Sequence, residues 1–314
     1  MERGTIRIGV SGWRYEPWRG AFYPPGLRQD DELAYAAERL PTIELNGSFY
    51  SLQTPESYAD WYRATPAGFV FSVKGGRYIT HVRRLKEIAK PLANFFASGL
   101  FNLKEKLGPI LWQFPPNLKF DAGRFEEFMA LLPHDTSAAL TLARKRDARM
   151  TGRAALKVDA LRPVRHAIEI RNPTFLEPAF IELLRRYRIA LVVADTGERW
   201  PQPHDVTAEF VYMRLHGATE LYKSQYSEEM LQAWAARMEA WAAGGQPADA
   251  SLVVPGFEPP RAPRDIYCYF DNTDKLHAPD NARRLMELTK VQWVPIRRVA
   301  PRAAKAARAV PRAA

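Results

Sequence analysis

Eight short runs of β-branched and apolar residues recur along the chain, and most of them end on a polar residue, a glycine or a proline. They cover residues 6–13, 42–46, 69–74, 109–114, 166–171, 190–195, 210–216 and 265–271. Near-continuous apolar runs of this length suit strands buried on both faces, which is the environment of a parallel sheet. Helical patterns separate most of them, at residues 30–40, 54–63, 86–106, 121–132, 174–188, 227–241 and 279–289. Thr54 before Pro55 predicts a capped helix start. Met230, Trp234, Met238 and Trp241 fall on one face at helical spacing. Alternating strands and helices imply a parallel sheet with helices outside. Eight strands favour closure into an α/β barrel, a (β/α)₈ TIM-barrel-like fold. No glycine-rich dinucleotide fingerprint follows the first strand, which counts against an open doubly wound sheet. The sixth and seventh strands are joined by residues 196–210, rich in Pro and Gly, so a loop or a very short helix is expected there.

Length and charge set the domain boundaries. A barrel over residues 1–295 fits the 314-residue chain as one domain. Residues 296–314 form an Ala/Arg/Pro tail that has nothing large to bury and is expected to be disordered. Six of the ten net positive charges sit in that tail, at Arg297, Arg298, Arg302, Lys305, Arg308 and Arg312. Residues 134–165 hold a second basic stretch, expected to be an amphipathic helix plus a loop. Clustered cations of this kind either keep a chain soluble or meet a phosphate backbone, so nucleic acid is a candidate partner through the tail. No run reaches the length of a membrane span. The chain opens directly on its first strand, with no signal-peptide pattern. The lone Cys268, among aromatic residues, excludes a disulfide framework and reads as a small buried hydrophobe. These features fit a cytoplasmic protein, monomeric by default.

Several short motifs resemble those of the YecE-like family, a domain of unknown function. They are Gly9-Val-Ser-Gly-Trp13 with Phe22-Tyr23-Pro24, Glu44-Leu-Asn-Gly-Ser-Phe-Tyr50, and Phe69-Val-Phe-Ser-Val-Lys74 with Ile79-Thr-His81. Further along come Leu111-Trp-Gln-Phe-Pro-Pro116, Glu169-Ile-Arg171, Met213-Arg-Leu-His-Gly217 and Phe270-Asp-Asn272. The resemblance spans roughly residues 6–290 and implies a TIM-barrel-like fold. It implies no particular reaction. The basic stretch and the basic tail depart from the family's usual pattern.

In such a barrel the C-terminal strand ends carry the site, and alternate residues face the lumen. The period of two pairs Glu44 with Asn46, Ser72 with Lys74, Glu169 with Arg171, and Arg214 with His216. Trp13, Gln113, Asp195 and Asn272 end their strands. A ring of charge at this rim is costly unless it is paired or meets a ligand, and both readings stay open. In one, Lys74, Arg171 and Arg214 neutralise Glu44 and Glu169 in a structural network. In the other, Trp13, Asn46, Lys74, Gln113, Arg171, Arg214, Tyr226 and Asn272 bind a small anionic or sugar-like substrate, phosphorylated or not. Glu44, Glu169, Asp195 and His216 would then supply acid–base catalysis. Tyr222 and Tyr226 would close over the ligand. No cofactor is expected, although His216 with Glu44, Glu169 and Asp195 would suit Mn²⁺ or Mg²⁺. A nucleic-acid-associated protein and a non-catalytic ligand-binding protein are the alternatives to an enzyme.

Overall fold

In the computed structural model, which describes residues 3–217, 225–272 and 276–296, eight parallel strands pair in sequence order and close into a barrel. They are β1 (Ile6–Ser11), β2 (Thr42–Leu45), β3 (Val70–Lys74), β4 (Leu107–Gln113), β5 (His166–Glu169), β6 (Ala190–Asp195), β7 (Phe210–Leu215) and β8 (Asp265–Phe270). β8 pairs back onto β1, with Ile8 opposite Cys268. Seven lie within the apolar runs of the sequence, and β4 starts two residues ahead of its run, at Leu107. Residues 297–314 of the basic tail and Tyr222 fall outside the described residues.

The helices are α1 (Glu32–Ala37), α2 (Gly47–Tyr50), α3 (Pro55–Ala64), α4 (Ala89–Ala97), α5 (Ala122–Leu131), α6 (Thr136–Arg144), α7 (Pro178–Arg186), α8 (Glu228–Ala242) and α9 (Ala278–Leu288). Four of their starts follow from side-chain caps. Thr54 accepts the Ser57 amide, Asp121 the Arg124 amide, Asp135 the Ala138 amide and Ser227 the Met230 amide. The 86–106 pattern is broken at Gly99, whose φ of 121° turns the chain from α4 into a 3₁₀ segment. Pro91 does not break α4, because it sits in the first turn, where no amide donor is missed. On α8, Trp234, Met238 and Trp241 are buried as expected, but Met230 is 37% exposed at the start of the helix.

Residues 196–209 form a helix-free connection between β6 and β7. It is held by polar anchors instead. The Asp205 carboxylate accepts the amides of Val253 and Val254, and Thr207 accepts the Leu191 amide. This loop carries Trp200 to the barrel mouth. The last described residue, Ile296, bridges to Ala67. No helix among the described residues is long and apolar enough to cross a membrane.

The lumen is filled by one phase of each strand. Val70, Leu111, Ala167, Ala190, Val192, Ala194, Phe210, Tyr212, Tyr267 and Tyr269 form its apolar layers. The other phase of each strand, with Ile8, Ile43, Val73, Ile168 and Cys268, packs beneath the helices in the main core. Gly9 lies on the lumen phase of β1, against Thr42 of β2. A Cβ there would lie 1.9 Å from the Thr42 carbonyl oxygen, so only glycine fits.

Candidate functional site

Above the tyrosine layer the lumen turns from apolar to ionic, and Arg214 on β7 organises the change. Its side chain is 1% exposed. Nε and Nη2 donate to the two oxygens of Glu44 at 3.1 and 2.9 Å. Nη1 donates to Glu169 Oε2 at 2.6 Å, and Nη2 also donates to Asp271 Oδ2 at 2.7 Å. One guanidinium therefore serves three carboxylates. Its planar fork of donors suits this, whereas a lysine ammonium would not. The small lumen residues of β6, Ala190, Val192 and Ala194, leave room for it.

Glu44 also accepts from Ser11 Oγ at 2.6 Å and from the Tyr212 hydroxyl at 2.6 Å. With the two Arg214 bonds, both of its oxygens are committed, so it holds the network together. Asn46 extends the chain of bonds outward, donating to Ser11 Oγ at 2.7 Å. Glu169 receives Arg171 Nε on its free oxygen at 2.8 Å. Burial alone would raise the Glu169 pKa, but the charges of Arg171 and Arg214 outweigh it and hold this carboxyl well below the usual range. It stays ionised at any working pH. His216 is buried, and its Nδ1 lies 3.3 Å from Asp271 while Nε2 lies 3.4 Å from Arg214. Burial first, and then the Arg214 charge, lower its pKa, so the ring is neutral.

The open edge of this network is cationic. Lys74, at the end of β3, is 9% exposed and lies over the Phe49 ring at 4.4 Å. Among the described residues no carboxylate comes within ion-pair distance of its ammonium. Burial, reinforced by Arg214, lowers its pKa to about 8. Arg171 keeps 11% of its side chain exposed and stacks on Trp200 at 3.7 Å. His81, in the π-helical turn Tyr78–Val82, packs against Phe49 at 5.0 Å. Burial, then Lys74 and Arg171, lower its pKa to about 4. Gln113 ends β4 on the lumen phase, opposite Glu169 in the register.

On the β1–β2 side a cavity of about 620 Å³ adjoins the network at Asn46. Trp13 and Trp61 meet edge to face at 5.7 Å in its wall, with Gln53 and Asp60 as polar neighbours.

The structure thus brings together Glu44, Asn46, Lys74, Gln113, Glu169, Arg171, Arg214 and His216, with Trp13 beside them. Three expected residues are placed elsewhere. Asp195 lies on the outer phase of β6, because Ala194 takes the lumen position, and it accepts the Trp234 indole N–H at 3.2 Å. Asn272 is likewise one residue out of phase with Tyr269 and donates to Asn281 at 3.0 Å. Tyr226 is buried against Phe270, and its hydroxyl accepts the Gly217 amide at 3.0 Å, so it is no lid. Arg214 is in the ring but enclosed by carboxylates, with no surface left for an anion. Asp271 was missed, although the lumen period Tyr267, Tyr269 leads straight to it. Trp200 was missed because a loop carries it, and no periodicity reaches into a loop.

The donor set does not suit a divalent ion. With Asp195 outside the lumen, a guanidinium fills the space among the remaining carboxylates. No group of three His, Cys, Asp or Glu among the described residues has metal-holding geometry.

Comparison with known proteins agrees with the fold and the motifs. A DUF72 protein from Thermotoga maritima superposes with a TM-score of 0.69 at 23% identity, covering 91% of this chain and 99% of that one. A DUF72 protein from Enterococcus faecalis gives 0.65 at 16% identity, over 94% of this chain and 100% of that one. At these identities the likeness is one of fold. The UPF0759 protein YunF of Bacillus subtilis (strain 168) is 29% identical over 116 residues, 35% of this chain and 40% of that protein. The matched segment thus spans about two fifths of that curated relative. The model of the family described as "Protein of unknown function DUF72" matches residues 7–305, and the chain, with its YecE-like motifs, belongs to that family.

Proposed function

We propose that the barrel is an enzyme that binds a small anionic or sugar-like substrate at the mouth and moves protons there. Lys74 and Arg171 hold the anionic group, and Lys74 is the proton-transfer residue. The observation that carries this reading is the state of Lys74. Its ammonium is buried in the mouth without a carboxylate partner among the described residues, while the guanidinium behind it already serves three. A buried cation that the carboxylates Glu44, Glu169 and Asp271 reach only at a distance is costly, and an anionic ligand in direct contact lowers that cost. A pKa near 8 also suits an amine that must give and take protons at neutral pH. Glu169 supports the site by fixing Arg171, and the neutral His81 and His216 surround the mouth without adding charge. The cavity walled by Trp13, Trp61 and Asn46 offers apolar ring faces beside hydrogen-bonding groups, which fits the body of a sugar.

The test is calorimetry of the wild type, Lys74→Met and Arg171→Lys with sulfate, inorganic phosphate and a panel of sugar phosphates. The wild type is expected to bind at least one anion, and Lys74→Met to lose at least about tenfold in affinity, the scale of one charge-assisted contact. Equal affinity in wild type and Lys74→Met would sink the reading. For any sugar phosphate that binds, deuterium uptake from solvent at a substrate carbon separates the enzyme from a ligand-binding protein.

A further inference from the structure

Two adjoining cavities on the C-terminal face share Arg83 in their walls. One, of about 550 Å³, has Ile79, Phe95 and Met150 among its apolar residues and Lys90, Arg149 and Arg153 at its edge. The other, of about 510 Å³, is bordered by Arg84, Lys86, Lys119 and Arg124. The acids of this face are already engaged. Glu87 pairs with Arg83, Asp121 caps α5, and Asp147 accepts the Arg149 amide. What remains outward is strongly positive.

Three distant stretches of sequence build this face. One follows β3, one is residues 117–124 after β4, and the third is residues 147–153 of the basic stretch 134–165, which follow α6 where it packs on α4. In the first stretch Arg84, Leu85 and Glu87 adopt φ values of 48°, 66° and 51°. L-residues seldom take these values, and three within four residues store strain that tertiary packing must offset. Arg84 and Lys86 are both exposed there. Two large rings also stand in water beside the cations, Tyr50 at 71% exposure and Tyr78 at 47%. Tyr78 lines the first cavity, and Tyr50 immediately precedes Ser51, which lines it too.

We infer that this face binds single-stranded nucleic acid, with bases on Tyr50 and Tyr78 and the phosphate backbone along Arg84, Lys86, Arg149 and Arg153. Exposed rings interleaved with cations are what an unpaired strand needs, because each base has a π-face to stack and each phosphate a charge to neutralise. A duplex hides its base faces and would leave the rings without a partner. The surface uses neither Lys74 nor Arg171, so it stands or falls apart from the anion site in the mouth.

The test uses the full chain and a fluorescein-labelled oligothymidylate of about 20 nucleotides, followed by anisotropy over a salt series. Two variants of equal net charge are compared, R84E/K86E/R153E on this face and R188E/R261E/R283E elsewhere. The first is expected to bind at least about tenfold more weakly and to flatten the logarithmic salt slope by about 2, as three lost phosphate contacts on a single strand require. The second should change affinity less than about threefold. Tyr50→Ala/Tyr78→Ala should weaken oligothymidylate by at least about fivefold and leave an abasic strand of the same length unaffected. Equal losses in the two charge variants would overturn the inference, since net charge and not this face would then be binding. So would an abasic strand or a heparin fragment that binds the wild type as tightly as oligothymidylate, which would mark a general polyanion surface.

Discussion

Replacing Arg214 with methionine removes the one cation that the buried carboxylates share, while keeping a side chain of comparable reach. Four charge-assisted bonds disappear, two to Glu44 and one each to Glu169 and Asp271. Breaking a buried ion pair by deleting one partner costs about 3–5 kcal/mol. Here Glu44 and Asp271 lose the Arg214 cation together and Glu169 keeps only Arg171, but the carboxylates can relieve part of the penalty by taking up protons. We therefore place the loss near the upper end, about 5 kcal/mol at pH 8. For a chain of this size each kcal/mol lowers the melting temperature by about 2 °C, so the variant should melt about 10 °C below wild type. The pH dependence is the sharper signature. In the wild type, Arg171 and Arg214 hold the Glu169 pKa below its unfolded value, so its stabilisation is present above the ordinary carboxylate range and lost as pH falls through that range and below it. Without Arg214, burial is opposed at Glu169 by Arg171 but no longer by Arg214, so the carboxylate cluster takes up a proton more readily than in the wild type. The penalty then grows as pH rises above about 4.5 and shrinks in mild acid. Melting followed by circular dichroism at pH 8, 6.5 and 5 should show the gap between the two proteins closing toward pH 5. A variant that melts within about 3 °C of wild type at pH 8, or a gap that widens in acid, would refute the account of Arg214 as the keystone of a desolvated network.

Sulfate keeps its charge across the working range, so its affinity should be flat below about pH 7 and fall as pH rises through about 8, where Lys74 loses its proton; calorimetry from pH 6 to 10 should show this in the wild type and a flat, weak profile in Lys74→Met. The same variant removes a buried cation whose pKa is lowered, and its melting temperature at pH 7 should equal or exceed that of wild type. Asp195→Asn should leave sulfate affinity unchanged and cost less than about 1 kcal/mol, because an amide oxygen can still accept the Trp234 N–H; a tenfold affinity loss would return Asp195 to the mouth. Gly9→Ala should destabilise by at least about 3 kcal/mol in urea titration, since its methyl meets the Thr42 backbone and no side chain can swing aside; a loss below 1 kcal/mol would show that β1 and β2 can separate.

The barrel was legible because both of its signals are local. A strand buried on two faces must be apolar along its length, and a helix outside it must be capped and amphipathic, so each element declares itself within a few residues. The ring of Glu44, Glu169, Arg171, Arg214 and His216 was legible for a related reason, since a period of two carries lumen phase along any strand. The same rule shows where the reading slipped. Asp195 and Asn272 are the last polar residues of their strands, but Ala194 and Asp271 hold the lumen phase, and counting back from Tyr269 or Ala190 gives the correct parity. Partner choice within the ring was not legible, because the period fixes which way a side chain points and not which of its neighbours it reaches. Sequence offered Arg214 and Lys74 as equivalent cations. Arg214, opposite Tyr269 in the register, is enclosed among the carboxylates at 1% exposure, while Lys74 ends β3 at 9% exposure, just before Gly75 and Gly76. Enclosure therefore divides the roles. The cation enclosed by acids holds the barrel together, and the more exposed one is left for whatever enters the mouth.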